Sequence, residues 1–174
     1  EIQLDGDASR NLTNGIGEDE QIRFDIVTLD PDAEYVDLDG RVLLSAYGEW
    51  TKKSGFFELD PGRDPDRLVF TDHDYGRPIK ARDDERIAIT RQTFEHFPDY
   101  YLTDTDFSTF DRLTDANPQI EEYAWGRRVL IDYENSDGVP LQATLTLPPD
   151  YEPGEEYPML VYFYEKMSQR HHQF

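Results

Sequence analysis

Three stretches of this chain recur in order at a nearly constant spacing, and that recurrence limits the fold more than any other feature. Asp39-Gly40-Arg41-Val42-Leu43-Leu44-Ser45 is echoed 45 positions later by Asp84-Glu85-Arg86-Ile87-Ala88-Ile89-Thr90. Gly55-Phe56-Phe57-Glu58-Leu59-Asp60 is echoed, with one residue of slippage, by Asp99-Tyr100-Tyr101-Leu102-Thr103-Asp104. Arg67-Leu68 then matches Arg112-Leu113. Each unit holds several short β-prone runs separated by Asp, Gly and Pro, which reads as one antiparallel sheet per repeat, a blade of a β-propeller. One such sheet cannot bury both of its faces and needs neighbours. Ahead of the repeat, Ile22 to Leu29 alternates (Ile22, Phe24 and Ile26 against Arg23, Asp25 and Val27), as a half-buried strand does, and Asp30-Pro31-Asp32 ends it. Residues Ala8 to Gly17 are polar and Gly-rich and read as a connection between strands.

The pattern changes after Arg112-Leu113. Leu113 to Glu122 is polar, contains a Pro and has no period, so it is read as a link between two domains, with Tyr123-Ala124-Trp125-Gly126 opening the second. Ser136-Asp137-Gly138 is a tight-turn signal, because Asp and Gly tolerate positive φ. The runs around it, Val129-Leu130-Ile131 and Leu141 to Leu147, predict a hairpin that Pro148-Pro149 terminates. A turn at Glu152-Pro153-Gly154 leads to Pro158-Met159-Leu160-Val161-Tyr162-Phe163-Tyr164, a nearly continuous apolar run suited to a strand buried on both faces of a parallel sheet.

That succession resembles the opening of the catalytic domain of the prolyl oligopeptidase family of serine peptidases. The matched segments are the Ser136-Asp137-Gly138 turn, Leu145-Thr146-Leu147-Pro148-Pro149-Asp150-Tyr151, and Tyr157-Pro158-Met159-Leu160-Val161-Tyr162-Phe163-Tyr164. The resemblance implies a mainly β chain. Residues 1–122 would be the last blades of a propeller, and residues 123–174 the first strands of an α/β-hydrolase domain, so the sequence is expected to be part of a longer protein. It also implies that Tyr164 donates its hydroxyl to the oxyanion of the tetrahedral intermediate, the role of a preorganised donor aimed at developing charge. The plainer alternative for Tyr164 is packing at a strand end. After it, Glu165-Lys166-Met167-Ser168-Gln169 departs from the Gly-rich turn of many members.

No G-x-S-x-G elbow occurs in the chain. Ser136, Ser168, His171 and His172 therefore do not read as a triad, and nucleophile, acid and base are expected beyond residue 174. His171-His172 reads as a solvated loop or the start of the next segment. Asp30, Asp32, Asp37 and Asp39 around Gly40 lack EF-hand spacing and read as a solvated turn. Glu121-Glu122 lie in the link and are not assigned the amino-terminus-binding role of the family's dipeptidyl members. Trp50 and Trp125 read as packing residues.

Composition narrows the partners. A net charge of −21 argues against nucleic-acid backbones and anionic lipid, both of which need basic patches. Aromatics at 13% distinguish the chain from a disordered acidic tail. With no Cys, thiolate and disulfide chemistry are absent. No apolar run approaches a membrane span. The resemblance implies short peptide substrates, no cofactor and no metal; it is compatible with a homo-oligomer and with an exported or periplasmic parent. The competing class is a non-catalytic propeller scaffold or an inactive peptidase homologue, which the repeat alone supports equally well.

Overall fold

The computed structural model describes residues 11–30, 32–164 and 167–174. The sequence reading of Ala8-Ser9-Arg10, Pro31 and Glu165-Lys166 lies outside those residues. Two antiparallel meanders and one hairpin make up the β-structure. The first sheet runs in order β1 (Ile22–Val27), β2 (Val42–Gly48), β3 (Ser54–Leu59), β4 (Asp66–Thr71). The second is built from β5 (Asp74–Tyr75), β7 (Ile87–Gln92), β8 (Asp99–Thr103) and β9 (Asp111–Arg112), with β6 (Ile79–Lys80) also paired to β7. The repeat noted in the sequence is thus a repeat of strands: β2, β3 and β4 correspond to β7, β8 and β9.

Alternation explains which side chains each strand buries. Val42, Leu44 and Ala46 of β2 are all nearly inaccessible, and so are their counterparts in β7, Ile87 and Ile89. They enter different cores. Val42, Leu44, Phe57 and Leu59 pack with Ile22 on one face of the first sheet, covered by Leu12, Leu38 and Phe70. Phe56 points to the opposite face, as the next residue along a strand must. There it joins Ile87, Ile89 and Phe107 in a second core, with Leu43, Val69 and Tyr75 at its margin. Phe56 stacks on Phe107 at 4.4 Å and meets Tyr75 edge-on. The first sheet is buried on both faces, and the second packs one face against it.

Close approach inside the first sheet depends on a missing side chain. A Cβ on Gly55 would lie 1.9 Å from the Val69 carbonyl oxygen, beside the bulge that shifts the β3–β4 register between Phe56 and Phe57. The second sheet is closed by a carboxylate. Asp99, its side chain buried, accepts from Arg112 Nε at 2.9 Å, Thr114 Oγ1 at 2.6 Å and the Ala116 N–H at 2.8 Å, which ties the chain leaving β9 back to β8. Burial alone would raise this carboxyl, but those donors outweigh it and hold it below the usual carboxylate range.

The hairpin forms as the sequence predicts. β10 (Arg127–Glu134) and β11 (Pro140–Leu147) pair antiparallel around Asn135 to Val139. Gly138 sits at φ 74° and Asn135 Oδ1 accepts from the Asp137 and Val139 N–H groups. One expectation needs correction. Ile26 is 47% exposed rather than inward-facing, because the core against β1 ends at Phe24. The expected link also carries a 3-10 helix, Pro118–Glu122, which Pro118 starts because its missing N–H is not needed in a first turn.

Candidate functional site

Tyr164 ends the run Pro158–Tyr164, and the structure does not make that run a buried strand. It pairs with no described strand, and Leu160, Phe163 and Tyr164 are 94%, 86% and 64% exposed. The physical reason is a lack of neighbours. A strand buried on both faces needs a ladder on each edge and cover on each side; after Tyr123, the described sheet structure is only the β10–β11 hairpin, whose strands pair with each other. Tyr164 meets no hydrogen-bonding partner among the described residues.

The chain then returns. A 3-10 turn at Met167–Arg170 carries residues 171–174 back onto the hairpin and the second meander. Arg128, on β10, donates from Nη1 to the carbonyl oxygens of Arg170 (2.7 Å), His171 (3.3 Å) and Gln173 (2.7 Å), while its guanidinium lies 4.0 Å over the Phe94 ring. Phe174 stacks flat on Trp125 at 5.0 Å and meets Phe97 edge-on. Trp125 also leans on Phe94 and donates its indole N–H to the Phe94 carbonyl at 2.8 Å, so it packs as the sequence reading holds. Gln92, at the end of β7, accepts from the Phe174 N–H at 3.1 Å and donates to Asp74 at 2.8 Å. Burial raises the Asp74 carboxyl, against the hydrogen bonds from Gln92 and Gln173.

This docking overturns the reading of His171-His172 as a solvated loop. Both are partly buried, with ring centroids 4.7 Å apart. His171 Nδ1 lies 3.2 Å from Thr144 Oγ1 of β11, and His172 Nε2 lies 3.7 Å from an Asp72 carboxylate oxygen without making a hydrogen bond. Burial, reinforced by His171, pushes His172 down to about 4; burial and then Arg128 lower His171. Phe174, packed on Trp125 and Phe97, and the Arg128 hydrogen bonds together anchor the segment that carries the two histidines. The sequence carried a faint signal of this in the aromatics at 94, 97 and 125.

The remaining candidates take separate places. Ser136 lies in the hairpin loop and Ser168 on the 3-10 turn, and among the described residues no serine hydroxyl bonds a histidine ring: Ser54 Oγ donates to the His73 backbone carbonyl at 2.8 Å, and the ring nitrogens that do bond meet Thr71, Thr93 and Thr144. Asp30 and Asp37 each accept from the backbone N–H two residues on, at Asp32 and Asp39, as in solvated Asx turns. Glu121 and Glu122 lie exposed on the 3-10 helix. The Trp50 carbonyl accepts from Gln142, which joins the first meander to the hairpin. A cleft of about 320 Å³ opens between the meanders, lined by Arg23, Asp25, Tyr47, Asp74 and Arg77. The Tyr47 hydroxyl is buried there without a partner, and burial with Glu49 nearby pushes it up to about 12. Sequence reasoning did not single out this cleft, because its residues come from four separate strands and a turn.

Against known proteins, no family model matches the chain and no curated protein matches it. Among solved structures it is similar to an AtxE2 isopeptidase, in a Ser-to-Ala variant with Astexin3-dC4 bound, at a TM-score of 0.55 and 15% identity. The match covers 80% of this chain and 26% of the isopeptidase chain, so this chain spans about a quarter of that neighbour's length. At that identity the likeness is one of fold. It agrees with the mainly β, antiparallel architecture described above.

Proposed function

We propose that this chain is part of a serine peptidase of the prolyl oligopeptidase family that hydrolyses short peptides by Ser-His-Asp acyl transfer. On this reading residues 1–122 are blades of a β-propeller that restricts access to small substrates. Residues 123–174 open an α/β-hydrolase domain, whose triad lies beyond residue 174. The observation that carries the proposal is the succession itself: a four-stranded and a five-stranded sheet related by a 45-residue repeat, then a hairpin, then the Leu145–Tyr151 and Tyr157–Tyr164 segments. A fold likeness to an isopeptidase supports the same class of chemistry. Tyr164 would then be buried at the end of a central strand and aimed at the oxyanion, where removing one such donor costs about 10²–10³ in kcat.

The test is hydrolysis of short chromogenic peptides by the intact parent protein and its Tyr164→Phe variant. The proposal expects hydrolysis by the parent, a large fall in kcat in the variant and little change in KM. Undiminished kcat in Tyr164→Phe removes the role given to Tyr164. A parent without any peptide hydrolysis contradicts the enzyme reading and favours the binding scaffold, for which the stacked, well-packed meanders suffice by themselves.

A further inference from the structure

Three of the chain's four histidines meet at one junction, and the fourth, His96, lies close enough to His73 to act on its charge. His171 and His172 arrive on the returning segment, His73 follows β4, and His96 sits in the turn between β7 and β8, where its Nδ1 lies 3.0 Å from Thr93 Oγ1. Three other features make the place unwelcoming to added positive charge. Arg128 spans the segment from β10, its Nη1 committed to three carbonyls and its Nε buried without a partner. The two histidine rings touch. His172 Nε2 is enclosed and makes no hydrogen bond. We propose that this junction is an acid-released latch, in which protonation of the His171–His172 pair detaches residues 167–174 from the second meander and the hairpin.

The charged and titratable groups facing the pair come from every element packed there. The turn after β4 supplies Asp72 and His73, and β5 supplies Asp74; β10 supplies Arg128; Lys52 comes from the turn between β2 and β3. Arg91 of β7 and His96 act in turn on His73. Asp72 alone favours a protonated His172, and its carboxylate is 66% exposed, so water screens the attraction. Burial, His171, His73 and Arg128 all oppose protonation. Because the docked pair holds protons less tightly than free histidine, the released segment binds more of them. Docking is therefore full above the ordinary histidine range, at about 6.5, and weakens as pH falls toward the depressed value. Asp74 works in the opposite sense, since its raised carboxyl favours the docked state once protonated, but it acts in the more acidic carboxylate range. After allowance for solvent screening, acidification should shift the docking equilibrium by at least about tenfold. The latch holds the chain just after Tyr164, yet its argument stands on this junction alone and is independent of the peptidase reading.

The test uses the full chain in a Trp50→Phe background, which leaves Trp125, stacked on Phe174, as the sole tryptophan. Trp125 emission and far-ultraviolet circular dichroism are followed from pH 8 to 4.5, and His172 is titrated by NMR. The latch predicts a red shift of Trp125 with a midpoint below about pH 6.5 while the sheet signal holds, and a weaker transition at lower pH in His172→Gln, where His171 alone remains to titrate. Flat Trp125 emission contradicts it, as does a shift coincident with loss of the sheets, tighter docking in acid, or an unchanged transition in His172→Gln. If His172→Gln is undocked at every pH, the NMR titration decides: a depressed His172 supports the latch, and an ordinary or raised one overturns it.

Discussion

Phe56-Phe57-Glu58-Leu59 and Leu160-Val161-Tyr162-Phe163 are apolar, β-prone runs of the same length with opposite fates. In the first, Phe56, Phe57 and Leu59 are 2%, 3% and 6% exposed; in the second every residue is more than 60% exposed. Composition would predict the reverse, since the buried run carries the charged Glu58 and the exposed run carries no charge. The first run is β3, with β2 on one edge, β4 on the other and a core on each face. The second has no described strand on either edge. Burial of a strand is thus a property of its neighbours as much as of its sequence, and a local apolar pattern states only a capacity for it.

Variants in the two regions should differ most in stability. Phe56→Ala removes a ring stacked on Phe107 between the two sheets and should cost about 4 kcal/mol, read from urea unfolding. Asp99→Asn leaves the Arg112, Thr114 and Ala116 donors facing an amide and should cost about 2 kcal/mol. Because the folded Asp99 carboxyl sits below its unfolded value, its contribution is full above about pH 4 and is lost as pH falls through the folded value. The pH dependence of wild-type unfolding should therefore flatten on that acid limb in Asp99→Asn. Trp125→Ala should loosen the 167–174 segment in hydrogen exchange while costing the meanders no more than about 1 kcal/mol. Leu160→Ser, in the exposed run, should stay within about 0.5 kcal/mol of wild type. A large loss from Leu160→Ser in this chain would mean that the run is covered in solution and would remove the contrast.

The parts of the fold legible in the sequence were those governed by short-range rules. The repeat that pairs Val42 with Ile87 and Leu44 with Ile89 aligned β2 with β7 before any contact was known. Asp137-Gly138 and Pro148-Pro149 bounded β10 and β11 through backbone chemistry. What was not legible depends on contacts distant in the chain. Nothing near His171 or His172 indicates that Phe174 will stack on Trp125 and help anchor the segment that carries them. Nothing near Asp99 indicates that Arg112, Thr114 and Ala116 will converge on it. The exposed state of Pro158–Tyr164 has the same origin, since its pattern is that of a strand and only the absence of described partners decides otherwise. Tyr164 was singled out from a resemblance, so its role rests on surroundings outside the described residues.

The central claim is that this chain belongs to a serine peptidase, and labelling the native source material with a fluorescent fluorophosphonate tests it most directly. Labelled bands would be resolved on a denaturing gel and identified by peptides from this sequence. The account predicts a labelled band far larger than 20.4 kDa whose labelling is abolished by prior denaturation. A band that contains these peptides and stays unlabelled in native material would contradict it, and Tyr164 would lose its assigned part in catalysis.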